Sequence, residues 1–183
     1  MHYNAELIAV GTELLLGNIA NTDAQMISEG LSTLGIDVYY HTVVGDNPQR
    51  LREALDIARR RANIIITTGG LGPTYDDLTK QTICEAFGRP LELHEDIWQG
   101  IQDYFARRMK GGKITENNKQ QAMLPVGCTV FENPVGTAPG CAFEEGGVHV
   151  LMLPGPPYEC RYMFEHQAGP YLQGLTRGAD LQP

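Results

Sequence analysis

Ile64-Ile65-Ile66 runs through Thr67-Thr68 straight into Gly69-Gly70-Leu71-Gly72-Pro73, and few folds use that succession. Three consecutive β-branched apolar residues leave no polar face, so the segment from Asn63 reads as a strand covered on both sides, as in a parallel sheet between helix layers. The glycines then let the backbone turn sharply and approach a ligand closely. In open α/β sheets ligands lie beyond the carboxyl ends of the strands, which is where this loop would stand.

The flanking sequence follows the same pattern. Ala5 to Val10 is an apolar strand entering the turn Gly11-Thr12-Glu13, and Asn21-Thr22-Asp23 supplies cap chemistry for a helix carrying Met26, Ile27, Leu31 and Leu34. Asp37 to Val44 is a second strand, and Gly45-Asp46-Asn47-Pro48 leads into a helix with Leu51, Leu55, Ala58 and Ala62 on one face. Its closing Arg59-Arg60-Arg61 triplet suits the negative end of the helix dipole. A third helix carries Leu78, Ile83, Ala86 and Phe87. Glu92 to Arg108 reads as another, broken by Gly111-Gly112 before a short helical stretch around Asn117 to Leu124. Strands at Cys128 to Phe131, Cys141 to Glu144 and His149 to Leu153 precede a last helix from about Pro157 to Tyr171. This alternation predicts an α/β domain over residues 1–172, with right-handed crossovers and a mostly parallel central sheet flanked by helices. Residues 173–183 lack periodicity after Gly174 and read as a tail or linker.

Charge removes several function classes. With 14 Lys and Arg against 22 Asp and Glu the chain carries a formal charge of -8, which argues against binding nucleic acid through its phosphates. No apolar run approaches the roughly 20 residues that span a bilayer, so no membrane association is expected. The absence of Lys or Arg before Arg50 speaks against a secretory or mitochondrial leader, so a cytoplasmic location is expected. Cys84, Cys128, Cys141 and Cys160 form no C-x-x-C pair and read as free thiols. Ser28 and Ser32 are the only serines, so no G-x-S-x-G exists, and Trp98 stands where a zincin sequel to His94-Glu95 needs histidine.

The chemistry concentrates at the loops. Gly69, Gly70 and Gly72 can aim backbone amides at a phosphate, and Thr74, Asp76, Asp77 and Thr79 follow at once. Thr74 and Asp77 also match a capping box, so the acids have a local use as well. Two adjacent carboxylates suit a divalent cation, because Mg²⁺ is typically held by one or two carboxylates together with phosphate oxygens and water. Gly11, Thr12 and Glu13 offer a turn, a hydroxyl and a carboxylate at the same edge, and Asn21 and Asp46 are either caps or ligand contacts. Asn117, Asn118, Lys119 and Gln121 form a dense polar cluster on a short helix, with one cation able to meet phosphate, although such a cluster is more often a solvated face. The long connection holding Asn133, Gly136, Thr137 and Gly140 has too many turn formers for a simple hairpin. Pro154 and Gly155 open the last helix, and Glu159 falls in its first turn, where an acid is locally favourable.

Gly11 to Gly17, Asn21-Thr22, Val43-Val44-Gly45-Asp46, Gly69 to Thr79, Glu116-Asn117-Asn118, Asn133 to Gly140 and Pro154 to Glu159 occur in this order. Together they resemble the successive motifs of the CinA-like competence/damage-inducible family, whose amino-terminal part is similar to the molybdopterin-binding domain. The resemblance implies a three-layer α/β fold. It implies metal-dependent hydrolysis of ADP-ribose-like diphosphates to AMP and ribose 5-phosphate, with Mg²⁺, Mn²⁺ or Co²⁺ held by Asp77 and Asp76 as the catalytic pair. Asp77-Leu78-Thr79 matches the Asp-x-Thr of molybdenum-cofactor relatives, whose pocket binds molybdopterin or its adenylylated form. The alternative is therefore a module that binds a pterin or nucleotide without turning it over. A homo-oligomer is implied too, and many full-length members continue into a carboxyl-terminal amidase domain that this chain lacks. Asp23 departs from the asparagine expected after Asn21-Thr22, and Tyr75 occupies a variable slot.

Overall fold

A computed structural model describes residues 1–108 and 114–180. Six strands form the main sheet in the order β2 (Asp37–Val44), β1 (Asn4–Val10), β3 (Ile64–Thr68), β8 (Val148–Leu153), β7 (Gly140–Glu145) and β6 (Thr129–Phe131). Neighbours β2, β1, β3 and β8 pair in parallel, while β7 pairs antiparallel with both β8 and β6. All five residues of β3 are buried. Alternate side chains serve opposite layers, as the strand period requires. Ile8, Ile65 and Val150 join Leu51, Leu55 and Ile83 on one face. On the other, Leu7, Ile64, Ile66 and Leu151 pack with Ile27, Leu31 and Met163. The expected three-layer α/β fold is present.

Helix starts follow their caps. Asn21 Oδ1 accepts from Ala24 N–H at 3.3 Å and opens α2 (Thr22–Thr33), after the short α1 (Thr12–Leu15). Asn47 Oδ1 accepts from Arg50 N–H at 3.0 Å and, with Pro48 in the first turn, opens α3 (Pro48–Arg61). Next come α4 (Thr79–Phe87) and α5 (Glu95–Arg108).

Four expectations change. Leu91–Leu93 is not the start of α5 but a strand, β4, paired antiparallel with β5 (Met123–Pro125) in a separate two-stranded sheet. Asn117 to Leu124 is a 3-10 helix, Glu116–Ala122, running into β5, where buried Leu124 anchors the pairing. The break at Gly111-Gly112 lies outside the described residues. The last helix divides into α6 (Pro157–Met163), a π turn (Phe164–Ala168) and α7 (Gly169–Asp180). Pro170 has no N–H to give to the preceding turn, which accounts for the interruption. The helix then continues through the region read as a tail, held by buried Leu172 and partly buried Leu175. No described helix is long and apolar enough to cross a membrane.

Two arginines of the triplet, Arg59 and Arg61, have specific partners beyond the helix dipole. Arg61 Nε and Nη2 donate to the two Glu6 oxygens at 2.7 and 3.1 Å, Thr42 Oγ1 donates to Glu6 Oε2 at 3.2 Å, and the guanidinium stacks on Tyr40. Glu6 is 1% exposed, so its charge depends on that pairing. Arg59 donates to the Ala86 carbonyl and covers Phe87. Arg61→Ala is expected to destabilise the protein, because it leaves the buried Glu6 carboxylate with Thr42 alone. Urea unfolding of Arg61→Ala beside Arg60→Ala, which has no such partner, checks this.

Candidate functional site

Because β1, β2, β3 and β8 run in parallel, the turns after Val10, Val44, Thr68 and Leu153 share one edge. A cavity of about 620 Å³ opens there, walled by the glycine loop, α1, the start of α2 and the Pro154–Pro157 turn. Gly69 N–H donates to Leu153 O at 3.0 Å and Gly11 N–H to Val44 O at 2.9 Å, so the sheet ladder extends into the cavity floor. Gly69 and Gly70 hold φ near +92° and +72°, a region open mainly to glycine.

The loop is braced from within and behind. Asp77 Oδ2 accepts from Thr74 N–H at 3.0 Å and Thr74 Oγ1 at 2.7 Å. This corrects the capping-box reading: α4 starts at Thr79, the residue before it is Leu78, and no side chain caps it. The Thr74–Asp77 pair closes the turn instead and leaves Asp77 Oδ1 free of protein partners among the described residues. Gln120 Nε2 donates to Gly72 O at 2.7 Å and Thr74 O at 3.0 Å. Lys80 Nζ, buried behind the loop, donates to the carbonyls of Gln120 and Gln121 at 3.0 and 3.4 Å. Burial lowers its pKa to about 8.

The other expected residues divide. Glu13, Asn21 and Asp46 line the cavity. Asp46 does not cap α3, which falls to Asn47; its Oδ2 accepts from Thr12 N–H at 3.3 Å while its own N–H donates to Thr12 Oγ1 at 3.1 Å, tying two turns together. Gly69, Gly70, Gly72, Thr74, Asp76 and Asp77 all line it, as do Thr137, Pro154, Gly155 and Glu159. Gly11 and Thr12 stand behind that wall. Thr79 is buried beneath Gly70, its hydroxyl unpaired. Asn118 is buried and donates to Thr115 Oγ1 at 3.0 Å, and Lys119 does not reach the cavity. Asn133 Nδ2 holds Glu159 Oε1 at 2.8 Å and Ala138 O at 2.9 Å. A Cβ on Gly136 would collide with Glu159, and one on Gly140 with the Met152 carbonyl, so both glycines serve close packing. Asn133 and Gly136 line a neighbouring cavity of about 530 Å³ against α5, and Thr137 borders both.

Two cavity residues were not among the site residues expected from the sequence. Asp23, 9% exposed in the first turn of α2, has its carboxyl pushed up to about 6 by burial, against the opposing hydrogen bond with the Cys160 thiol. Gln121 is 2% exposed; its Nε2 donates to Thr137 Oγ1 at 3.0 Å, and its Oε1 has no partner. The Asn-to-Asp departure at position 23 was the available signal for the first.

Electrostatically the cavity is one-sided. Glu13, Asp23, Asp46, Asp76, Asp77 and Glu159 give it six carboxyls, and no Lys, Arg or His lines it among the described residues. The acids do not converge on a ready cage, since no group of three described Asp, Glu, His or Cys residues could hold a metal ion. An all-oxygen wall with one or two reachable carboxylates fits a hard cation completed by ligand oxygens.

With this geometry in place, comparison with known proteins is decisive. The profile of the family described as "Probable molybdopterin binding domain" matches residues 6–174. The chain belongs to that family. Within the molybdopterin-binding-like family it is CinA-like. A competence-damage inducible protein of Acetivibrio thermocellus is 54% identical over 169 residues, covering 92% of this chain and 40% of that protein. A Bacillus cereus counterpart is 51% identical over 178 residues, covering 97% and 43%. The chain thus spans less than half the length of these curated relatives. A solved structure of the protein CinA from Thermoplasma acidophilum, of unknown function, superposes with TM-score 0.82 at 33% identity, covering 91% of this chain and 96% of that one. The molybdopterin biosynthesis enzyme MoaB of Thermus thermophilus shares the fold with TM-score 0.62 at 20% identity, covering 96% and 97%.

Proposed function

We propose that this domain binds a phosphorylated heterocycle of the molybdopterin or nucleotide type at the carboxyl edge of its sheet. The observation that carries the reading is the glycine loop's backbone in a cavity that no cationic side chain lines among the described residues, where amides and the start of a helix are the means of meeting phosphate. Kinship to a molybdopterin-binding family supports the same class of ligand.

A second reading is favoured by Asp76 and Asp77 beside that loop: metal-dependent cleavage of an ADP-ribose-like diphosphate to AMP and ribose 5-phosphate. Asp77, with Asp76, would hold a divalent cation such as Mg²⁺, Mn²⁺ or Co²⁺, which supplies charge neutralisation on the phosphates and a more acidic water. Thr74 fixes the Asp77 carboxylate through two hydrogen bonds and keeps Oδ1 pointing away from that turn. The amides of Gly70 to Gly72 orient the phosphate, since that of Gly69 is taken by the Leu153 carbonyl, and the Pro154–Glu159 turn closes the opposite wall.

The test is product analysis with ADP-ribose and each metal in turn, alongside calorimetric titration with AMP and molybdopterin. Under the hydrolytic reading AMP appears only with metal, and Asp77→Asn lowers turnover at least tenfold without loss of fold. Saturable binding without product supports the binding module alone, and absence of both binding and turnover overturns both readings.

A further inference from the structure

Gln121 is an amide with one end committed and the other idle. Its Nε2 donates to Thr137 Oγ1 at 3.0 Å, which fixes the amide's orientation and leaves Oε1 as the free end. A buried polar atom without a partner is uncommon in folded proteins and calls for an explanation. No neighbouring group among the described residues supplies one, although the residue itself lies in the wall of the main cavity.

The backbone around it is held unusually firmly. Lys80 Nζ donates to the Gln121 carbonyl from behind, and Gln120 ties the same 3-10 helix to Gly72 and Thr74. The 3-10 helix therefore ties the glycine loop, through Gln120, to the Asn133–Gly140 connection, through Gln121, at the point where Thr137 borders both cavities. Its cavity neighbours Leu71 and Ala138 are buried and apolar, unlike the acid-lined mouth. A neutral acceptor beside apolar surface suits a neutral N–H on a flat ring.

We propose that Gln121 is a specificity-determining residue that accepts a hydrogen bond from the exocyclic amino group of a ligand's heterocycle, with Thr137 as its positioning residue. This rests on the reading of the cavity as a site for phosphorylated heterocycles and names the part of the ligand that the protein discriminates. A site built to pair with an N–H strongly disfavours the analogue that presents a carbonyl there, because two acceptors then face each other.

The probes are AMP, which carries the amino group, and inosine 5′-monophosphate, which replaces it with a carbonyl, each titrated calorimetrically in Mg²⁺. The wild-type protein is expected to bind AMP at least tenfold more tightly. Gln121→Leu should bring the two affinities within about twofold, while Thr137→Ser, which keeps the hydroxyl, should retain the preference. Thermal unfolding verifies that each variant folds, and Gln121→Met serves if the leucine protein does not. An AMP preference that survives in a folded Gln121→Leu or Gln121→Met protein, or a wild-type preference for the inosine nucleotide, overturns the proposal while leaving the cavity reading intact. Failure of both nucleotides to bind at millimolar concentration overturns the proposal together with the nucleotide form of that reading.

Discussion

Gly69→Ala is expected to lower unfolding free energy by about 3 to 5 kcal/mol and to abolish ligand binding at the glycine loop. Two costs combine. The residue sits at φ +92°, where an L side chain is strained. Its added Cβ would stand 2.3 Å from the carbonyl oxygen of Val10. That neighbour is backbone at the end of β1 and cannot swing aside as a flexible side chain could. On the other side, Gly155 approaches so closely that its own Cβ would lie 3.2 Å from Gly69 Cα. The loop is thus wedged between the ends of β1 and β8, and relief must come from parting strands. Gly174→Ala is the contrast: it lies within α7 with nothing near its Cβ position, so alanine should stabilise by roughly 0.5 to 1 kcal/mol. Urea unfolding of both variants checks the pair. Equal effects would mean that close packing does not explain the loop.

This wedge was partly legible in the residues. A strand of isoleucines with no polar face demands cover on both sides, and glycines at its end announce a close approach, so β3, its neighbours and the cavity edge followed. Which atoms approach was not legible, because Val10 and Gly155 are distant in sequence. The polar cluster after Glu116 shows a different limit. It read only as a short helical stretch, which left open which of its polar side chains turn inward. The segment is a 3-10 helix, whose threefold period places residues three apart on one side. Asn118 and Gln121 are accordingly both buried, and Gln121 rather than Lys119 reaches the cavity. The three-residue strands β4 and β5 are too short to display alternation, and their pairing depends on a partner across the whole of α5.

The same limit concealed Asp23, whose burial depends on α6 and on Cys160, far along the chain. Asp23→Asn is expected to stabilise the protein by on the order of 3 kcal/mol at pH 7.5 and to leave it nearly unchanged at pH 4. The carboxyl titrates at about 6 in the folded protein, against about 3.9 in an unfolded chain. Between those values the folded state holds more protons than the unfolded one, so stability falls as pH rises from about 4 to about 6 and this contribution is then constant. Asparagine has nearly the same shape and no charge to desolvate, so it should remove that slope. Facing Asp23 are the Cys160 thiol, whose own pKa burial pushes well above its ordinary value, and Glu159 on the same helix; Glu13, Asp46, Asp76 and Asp77 stand around the cavity. Urea unfolding across pH 4 to 8 separates the outcomes: a stabilisation equal at both ends would assign the effect to packing rather than charge. Under the proposed reading of the cavity as a phosphate site, a carboxyl that still carries its proton in part of the molecules near pH 6 would donate to a phosphate oxygen where an ionised carboxylate would repel it.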